Sequence, residues 1–141
     1  MRKKICVIDG QGGGIGSTII GKLKTVYGES VEILALGTNA IATSRMLKAK
    51  ANRGATGENA IAHTVRGADV IIGPLGIVLA HSMMGEVTPK IARAIAESAA
   101  PKYLLPLSQE NVAIVGVGDD PLPHLVDELV DVRLKDVLNV L

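Results

Sequence analysis

The chain has 141 residues, 48% of them hydrophobic, and a formal charge of +1, which fits one domain with a substantial core and argues against a polyelectrolyte that holds nucleic acid by charge. Only Tyr27 and Tyr103 are aromatic, so the core must be aliphatic, and the stacking platforms that single-stranded nucleic acid requires are missing. Charge is uneven: residues 1–53 carry nine Lys/Arg against three Asp/Glu, and residues 119–141 carry two against six. A basic N-terminal half suits a small anionic ligand, with ordinary solvated lysine faces as the plainer reading.

Apolar runs and turn signals lay out the elements in order. Met1-Arg2-Lys3-Lys4 is basic, but Ile5-Cys6-Val7-Ile8 is too short for a signal-peptide core. No run reaches the length of a membrane span, so a cytoplasmic protein without a membrane partner is expected. Cys6, the lone cysteine, reads as a buried structural thiol in the first strand, 4–9. A helix follows at 15–27 and ends on Gly28. A second strand is predicted at 31–36 and a second helix at 40–50, capped from Gly37-Thr38-Asn39. Residues 52–57 read as a loop, 58–66 as a short helix and 69–73 as a third, fully buried strand. Residues 75–84 suit a short helix, and Thr88-Pro89 caps and opens another that runs to about 99. Strands at 103–107 and 112–117 are separated only by Ser108-Gln109-Glu110-Asn111. So short a link predicts an antiparallel hairpin, because a parallel crossover needs a dozen residues or more. The last helix starts at Asp120-Pro121 or Leu122-Pro123, with Asp119-Asp120 as its cap, and shows an apolar stripe through Leu125, Leu129 and Val130 to Leu141. The expected fold is α/β: a three-layer Rossmann-like sandwich of about five strands, mostly parallel, closed by that hairpin.

Between the first strand and the first helix lies Asp9-Gly10-Gln11-Gly12-Gly13-Gly14-Ile15-Gly16. A strand, a glycine-rich turn and a helix N-terminus together make a phosphate cradle of backbone N–H groups. The competing reading is a tight turn with no ligand. The spacing Gly10, Gly14, Gly16 with Ile15 resembles the turn of short-chain dehydrogenases, which have Thr where Asp9 stands. Other features depart from those enzymes. Residues 37–39 include no ribose-binding acid, and no Tyr-x-x-x-Lys exists, since Tyr27 meets Val31 and Tyr103 meets Leu107 at that spacing. The absent Gly-Lys-Ser/Thr ending excludes a Walker loop. Ser17 and Thr18 can add hydroxyl contacts to a phosphate or serve the first helical turn.

In an open α/β sheet the ligand sits beyond the carboxyl ends of the strands. That brings Thr38, Asn39, Gly73 and Pro74 to the glycine turn, with capping of the second helix as the other role for Thr38. The predicted ligand is a nucleotide or other phosphorylated small molecule. NADP ranks above NAD, because no acid awaits a 2′-hydroxyl and Arg45 lies near enough to pair with a 2′-phosphate. His81, Ser82 and Glu86 are the candidates for acid–base work, with surface or packing roles as the plainer assignment. No His spacing suits a metal, so none is predicted. Leu75 to Met84, polar only at His81 and Ser82, is assigned to a homo-oligomer interface, with core as the alternative.

VIDGQGGGIG at 7–16, ALGTNAIATS at 35–44, ATGENA at 55–60, VIIGPLGI at 70–77 and IVGVGDDPLPHLVDELV at 114–130 resemble an uncharacterised bacterial family of small single-domain proteins. The resemblance implies a Rossmann-like fold and carries no activity or site residues. Three functions stand against one another: ligand binding on loop 10–16, a ligand-free structural or interaction module, and a small hydrolase or transferase.

Overall fold

The computed structural model describes residues 1–107 and 111–138. Its centre is a five-stranded sheet in the order β3-β2-β1-β4-β5. The strands are β1 (Lys3–Asp9), β2 (Val31–Gly37), β3 (Arg53–Thr56), β4 (Val70–Pro74) and β5 (Lys102–Leu105), and every pairing is parallel. Between them run α1 (Gly14–Tyr27), α2 (Ala40–Lys48), α3 (Glu58–Thr64) and α4 (Pro89–Glu97). The chain then continues through α5 (Leu122–Glu128), a π turn and α6 (Leu134–Leu138).

Alternate strand residues feed two cores, which is why β1, β2 and β4 read as unbroken apolar runs. Ile5, Val7, Ile33 and Ile72 pack under Ile19, Ile20 and Leu23 of α1, Met46 of α2 and Val126, Val130 and Leu134 near the C-terminus. Cys6, Ile8, Leu36 and Ile71 pack on the other side under Ile61 of α3 and Ile91 and Ile95 of α4. Burial pushes the Cys6 thiol up to about 12, and the nearby charges of Asp69 and Glu32 add to the shift against that of Lys4, so the thiol is structural.

Local signals act largely as the sequence implies. Gly28 closes α1 at φ 53, its N–H donating to the Lys24 carbonyl. Thr88 caps α4, accepting from the Ile91 N–H at 3.1 Å, with Pro89 in the first turn. The cap of α2 is Asn39, which accepts from the Ala42 N–H at 2.8 Å.

Four expectations are corrected. The antiparallel hairpin is overturned, because the sheet is all parallel and 112–117 is exposed and belongs to no strand. Residues 108–110 of the proposed link lie outside the described residues, as does Leu141 of the helical stripe. The fifth strand is instead β3, inside the stretch read as a loop. It is an edge strand of four residues with no apolar alternation, and Gly54 is accommodated because a Cβ there would come within 3.0 Å of Leu47 and Thr43 in α2. Residues 75–84 form a 3-10 turn (Leu75–Val78) followed by further turns rather than an α-helix. Ile77 and Ser82 are buried in the chain's own interior, whereas Met84 is 95% exposed. Lastly, no side chain caps α5, so Asp119 and Asp120 do not act as predicted. Among the described residues no helix is long and apolar enough to cross a membrane.

Gly37, the last residue of β2, shows how closely α2 is set on the sheet. A Cβ there would stand 2.7 Å from both Asn39 O and Thr43 N and would also strike the Thr43 hydroxyl. Gly37→Ala should therefore cost about 2–3 kcal/mol in urea unfolding. A loss below about 0.5 kcal/mol would show that α2 does not press on the strand end.

Candidate functional site

Asp9 ends β1 and is 3% exposed. Its Oδ1 accepts from the Gly10 N–H at 2.8 Å and its Oδ2 from the Gly16 N–H at 2.7 Å, so one carboxylate ties both ends of the turn at the positive end of α1. Burial pushes this carboxyl up; the N–H groups of Gly16, Gly10 and Ile15 oppose the shift, and the charge of Glu86 adds to it. The net displacement is upward. Gly13 makes the corner at φ 74, where a Cβ would lie 2.8 Å from Ala42 Cα, and its N–H donates to the Gly10 carbonyl at 2.9 Å.

The Gln11 N–H donates to Glu86 Oε1 at 2.8 Å. Gly12 and Gly14 remain, and their N–H groups have no protein acceptor among the described residues. Beside them stands Arg45 of α2. Its Nη1 lies 3.4 Å from the Gly12 carbonyl, to which it donates, and 3.3 Å from where a Cβ on Gly14 would be. No carboxylate pairs with Arg45 among the described residues.

This turn forms one wall of a cavity of about 680 Å³ at the carboxyl ends of β1 and β4, where the strand order reverses. Of the residues predicted from sequence, Asp9, Gly10, Gln11, Gly12, Gly13, Gly14, Ile15 and Pro74 line it. Gly76, His81, Ser82, Met83, Met84 and Leu107 complete the lining. Four predicted residues do not line it. Gly16 packs in α1, where a Cβ would meet Met46 Sδ at 2.5 Å, and Gly73 sits within β4 beneath Ile8 O and Ile77. Thr38 and Asn39 lie together at the end of β2, where both donate to Glu86 Oε1, at 2.6 and 2.9 Å. Thr38 is thus not the cap of α2.

Two of the three acid–base candidates are engaged within the fold. The Ser82 hydroxyl donates to the Gly76 carbonyl, and the Glu86 carboxylate serves Thr38, Asn39 and Gln11. Burial works against the Glu86 charge, but the Thr38 hydroxyl, the Gln11 N–H and the Asn39 amide hold the carboxyl below its usual range. His81 is exposed with φ 70 and donates its N–H to the Val87 carbonyl. Ser17 and Thr18 both donate to the Gly14 carbonyl, as first-turn residues do. Among the described residues no three His, Cys, Asp or Glu side chains are grouped to hold a metal ion. A second groove of about 620 Å³, with Lys4, His63, Arg53 and Arg66 at its edge, lies over β2 and β3 beside α3.

Sequence alone pointed to the glycine turn and named Arg45 as a partner for a 2′-phosphate and Glu86 as an acid–base candidate. What it missed is how the donors divide: the two carboxylates take the N–H groups at the ends of the turn and leave the middle open. Asp9 was legible as a strand-end residue, and its inward role shows only once the turn is folded.

A parallel α/β sheet with a glycine-rich β1–α1 turn at the reversal of strand order defines a Rossmann-like protein. The chain belongs to the family described as Domain of unknown function (DUF3842), whose model matches residues 4–138. No curated protein matches it. Among solved structures it is similar to one described as a universal stress protein in complex with cAMP, at 16% identity and a TM-score of 0.42, over 74% of this chain and 98% of that one. Similarity at that level says nothing about a ligand of this chain.

The two carboxylates should titrate in opposite senses. Carbon-13 NMR across the acidic range should find Asp9 titrating above the ordinary aspartate value and Glu86 below the ordinary glutamate value. An Asp9 displaced downward, or a Glu86 displaced upward, from its ordinary value would contradict the hydrogen-bond assignment.

Proposed function

We propose that residues 10–16, one wall of the 680 Å³ cavity, bind the phosphate of a nucleotide or other phosphorylated small molecule. One observation carries this reading: the Gly12 and Gly14 N–H groups, without a protein acceptor among the described residues, stand beside a guanidinium that no carboxylate among those residues neutralises. An anion there gains two backbone donors and a cation at the N-terminal end of α1. Asp9, Gly10, Gln11, Gly13, Ile15 and Pro74 shape the wall. Of the three residues named for the hydrolase or transferase alternative, Ser82 and Glu86 are engaged within the fold and His81 lines the cavity.

A panel of NAD, NADP, ATP, GTP, FMN and coenzyme A tests the reading. At about a hundred times its Kd, a ligand stabilises the protein by roughly 2.7 kcal/mol, which a melting curve resolves. Gly14→Asp should abolish that shift and keep the fold. Gly14 does not need the left-handed region, and the new carboxylate would face Arg45 and occupy the anion's place. If no compound moves the melting point of the wild type at millimolar concentration, the turn is only structural.

The chain also assembles with itself, in our reading, through the turns after β4. Met84, 95% exposed at the cavity mouth, is the supporting observation. Sedimentation of the wild type should then show a dimer or larger species at micromolar concentration, and Met84→Lys should yield folded monomer. A monomeric wild type would end this reading.

A further inference from the structure

The end of β2 is the place where a dinucleotide-binding fold offers an acid to the ribose hydroxyls of its ligand. This chain has Gly37, Thr38 and Asn39 there and no acid. The fold supplies one from another part of the chain. Glu86 Oε1 lies 2.6 Å from Thr38 Oγ1, 2.9 Å from Asn39 Nδ2 and 2.8 Å from the Gln11 N, and it accepts from all three. Asn39 Nδ2 also donates to the Gln11 carbonyl at 3.0 Å, which joins the strand end to the glycine turn. Oε2 of Glu86 takes no donor among the described residues.

The path that delivers this carboxylate is specific. His81, Met83, Met84 and Gly85 have φ of 70, 56, 56 and 89, so the chain coils back on itself between β4 and α4. Ser82 is anchored to Gly76, and Val87 is buried in the core on the other side of the coil. Left-handed non-glycine residues persist only where their surroundings fix them. At Gly10 a Cβ would meet Met83 Sδ at 2.6 Å and Glu86 Oε1 at 2.9 Å, so the turn itself must lack a side chain for the coil to lie across it.

We infer that Glu86 is the ribose-selecting residue of the site, and that the ligand class is a nucleotide with free 2′- and 3′-hydroxyls. This rests on the nucleotide reading above. With the phosphate on Gly12, Gly14 and Arg45, the sugar lies toward the end of β2 and donates its hydroxyls to Glu86 Oε2. An ionised carboxylate is an acceptor only, so it matches a diol and repels a phosphate ester at the same position. Its three donors keep Glu86 ionised at neutral pH. The ranking of NADP over NAD is thereby reversed, and Arg45, drawn against Gly12 and Gly14, serves the phosphate on the turn rather than a 2′-phosphate.

Calorimetric titration of the full chain tests this with two pairs of compounds: NAD against NADP, and ATP against 2′,3′-dideoxy-ATP. In the wild type the free-diol member should bind at least about tenfold more tightly in each pair that binds. In Glu86→Gln, which keeps an acceptor for the Gln11 N–H and removes the charge, NADP should gain on NAD until the two lie within about threefold. NADP binding as tightly as NAD in the wild type, or dideoxy-ATP matching ATP, overturns the assignment and leaves the nucleotide reading intact. A Glu86→Gln protein that discriminates as fully as the wild type overturns it too. If neither NAD nor ATP binds, this inference falls, and the nucleotide reading falls with it only if the whole panel fails. The wild-type pairs decide the matter even if the variant does not fold.

Discussion

One buried carboxylate holds the candidate site in shape. Asp9 leaves β1 and receives the N–H groups of Gly10 and Gly16 on its two oxygens, so the chain must turn within a few residues and start α1 over the sheet. Everything around the turn depends on that tie. Gly13 must take a left-handed corner against Ala42, Gly16 must lack a side chain where Met46 packs, and Gly12 and Gly14 are left facing outward. The N-terminal end of α1 favours an anion, and the protein's own anion is the first to use it. Burial raises the free energy of that charge and the donors lower it again, which is why Asp9 is displaced upward while it still accepts from the turn.

A second carboxylate narrows the choice further. Glu86 takes the Gln11 N–H from outside the turn and binds Thr38 and Asn39 at the neighbouring strand end. An incoming phosphate therefore finds two of the outer donors, with Arg45 as counter-charge, instead of the whole run of N–H groups that a glycine-rich sequence suggests. Among the described residues, two fixed negative charges and one cation in so small a space favour a ligand that brings its own negative charge to one point and neutral hydroxyls to another. A polyphosphate spread along the turn would meet Glu86.

The parts of the fold that the sequence makes legible are those governed by local rules. The buried runs Ile5–Ile8, Ile33–Leu36 and Val70–Ile72 mark central parallel strands, the Thr88-Pro89 pair marks the start of α4, and Gly28 marks the end of α1. Misreadings arise where non-local packing decides. Arg53–Thr56 becomes a strand because it completes the open edge of β2 under α2, a context that Asn52-Arg53-Gly54-Ala55-Thr56-Gly57 does not announce. Val112, Ile114, Val115 and Val117 look like a strand and lie exposed instead, with Gly116 at φ 90. The glycine turn was visible as a possible cradle, but Glu86 lies 48 residues from Thr38 along the chain and reaches it through a left-handed coil that has no sequence period.

The central claim is that an anion is held between Gly12, Gly14 and Arg45, and backbone amide NMR tests it most directly. Titrating nitrogen-15-labelled protein with ATP should move the Gly12 and Gly14 amide resonances and the Arg45 side-chain Nε–H resonance most, all saturating together. Shifts confined to the groove of His63, Arg53 and Arg66, or an unchanged Gly12 and Gly14 at saturating ATP while a melting shift persists, would place the ligand elsewhere and contradict the account.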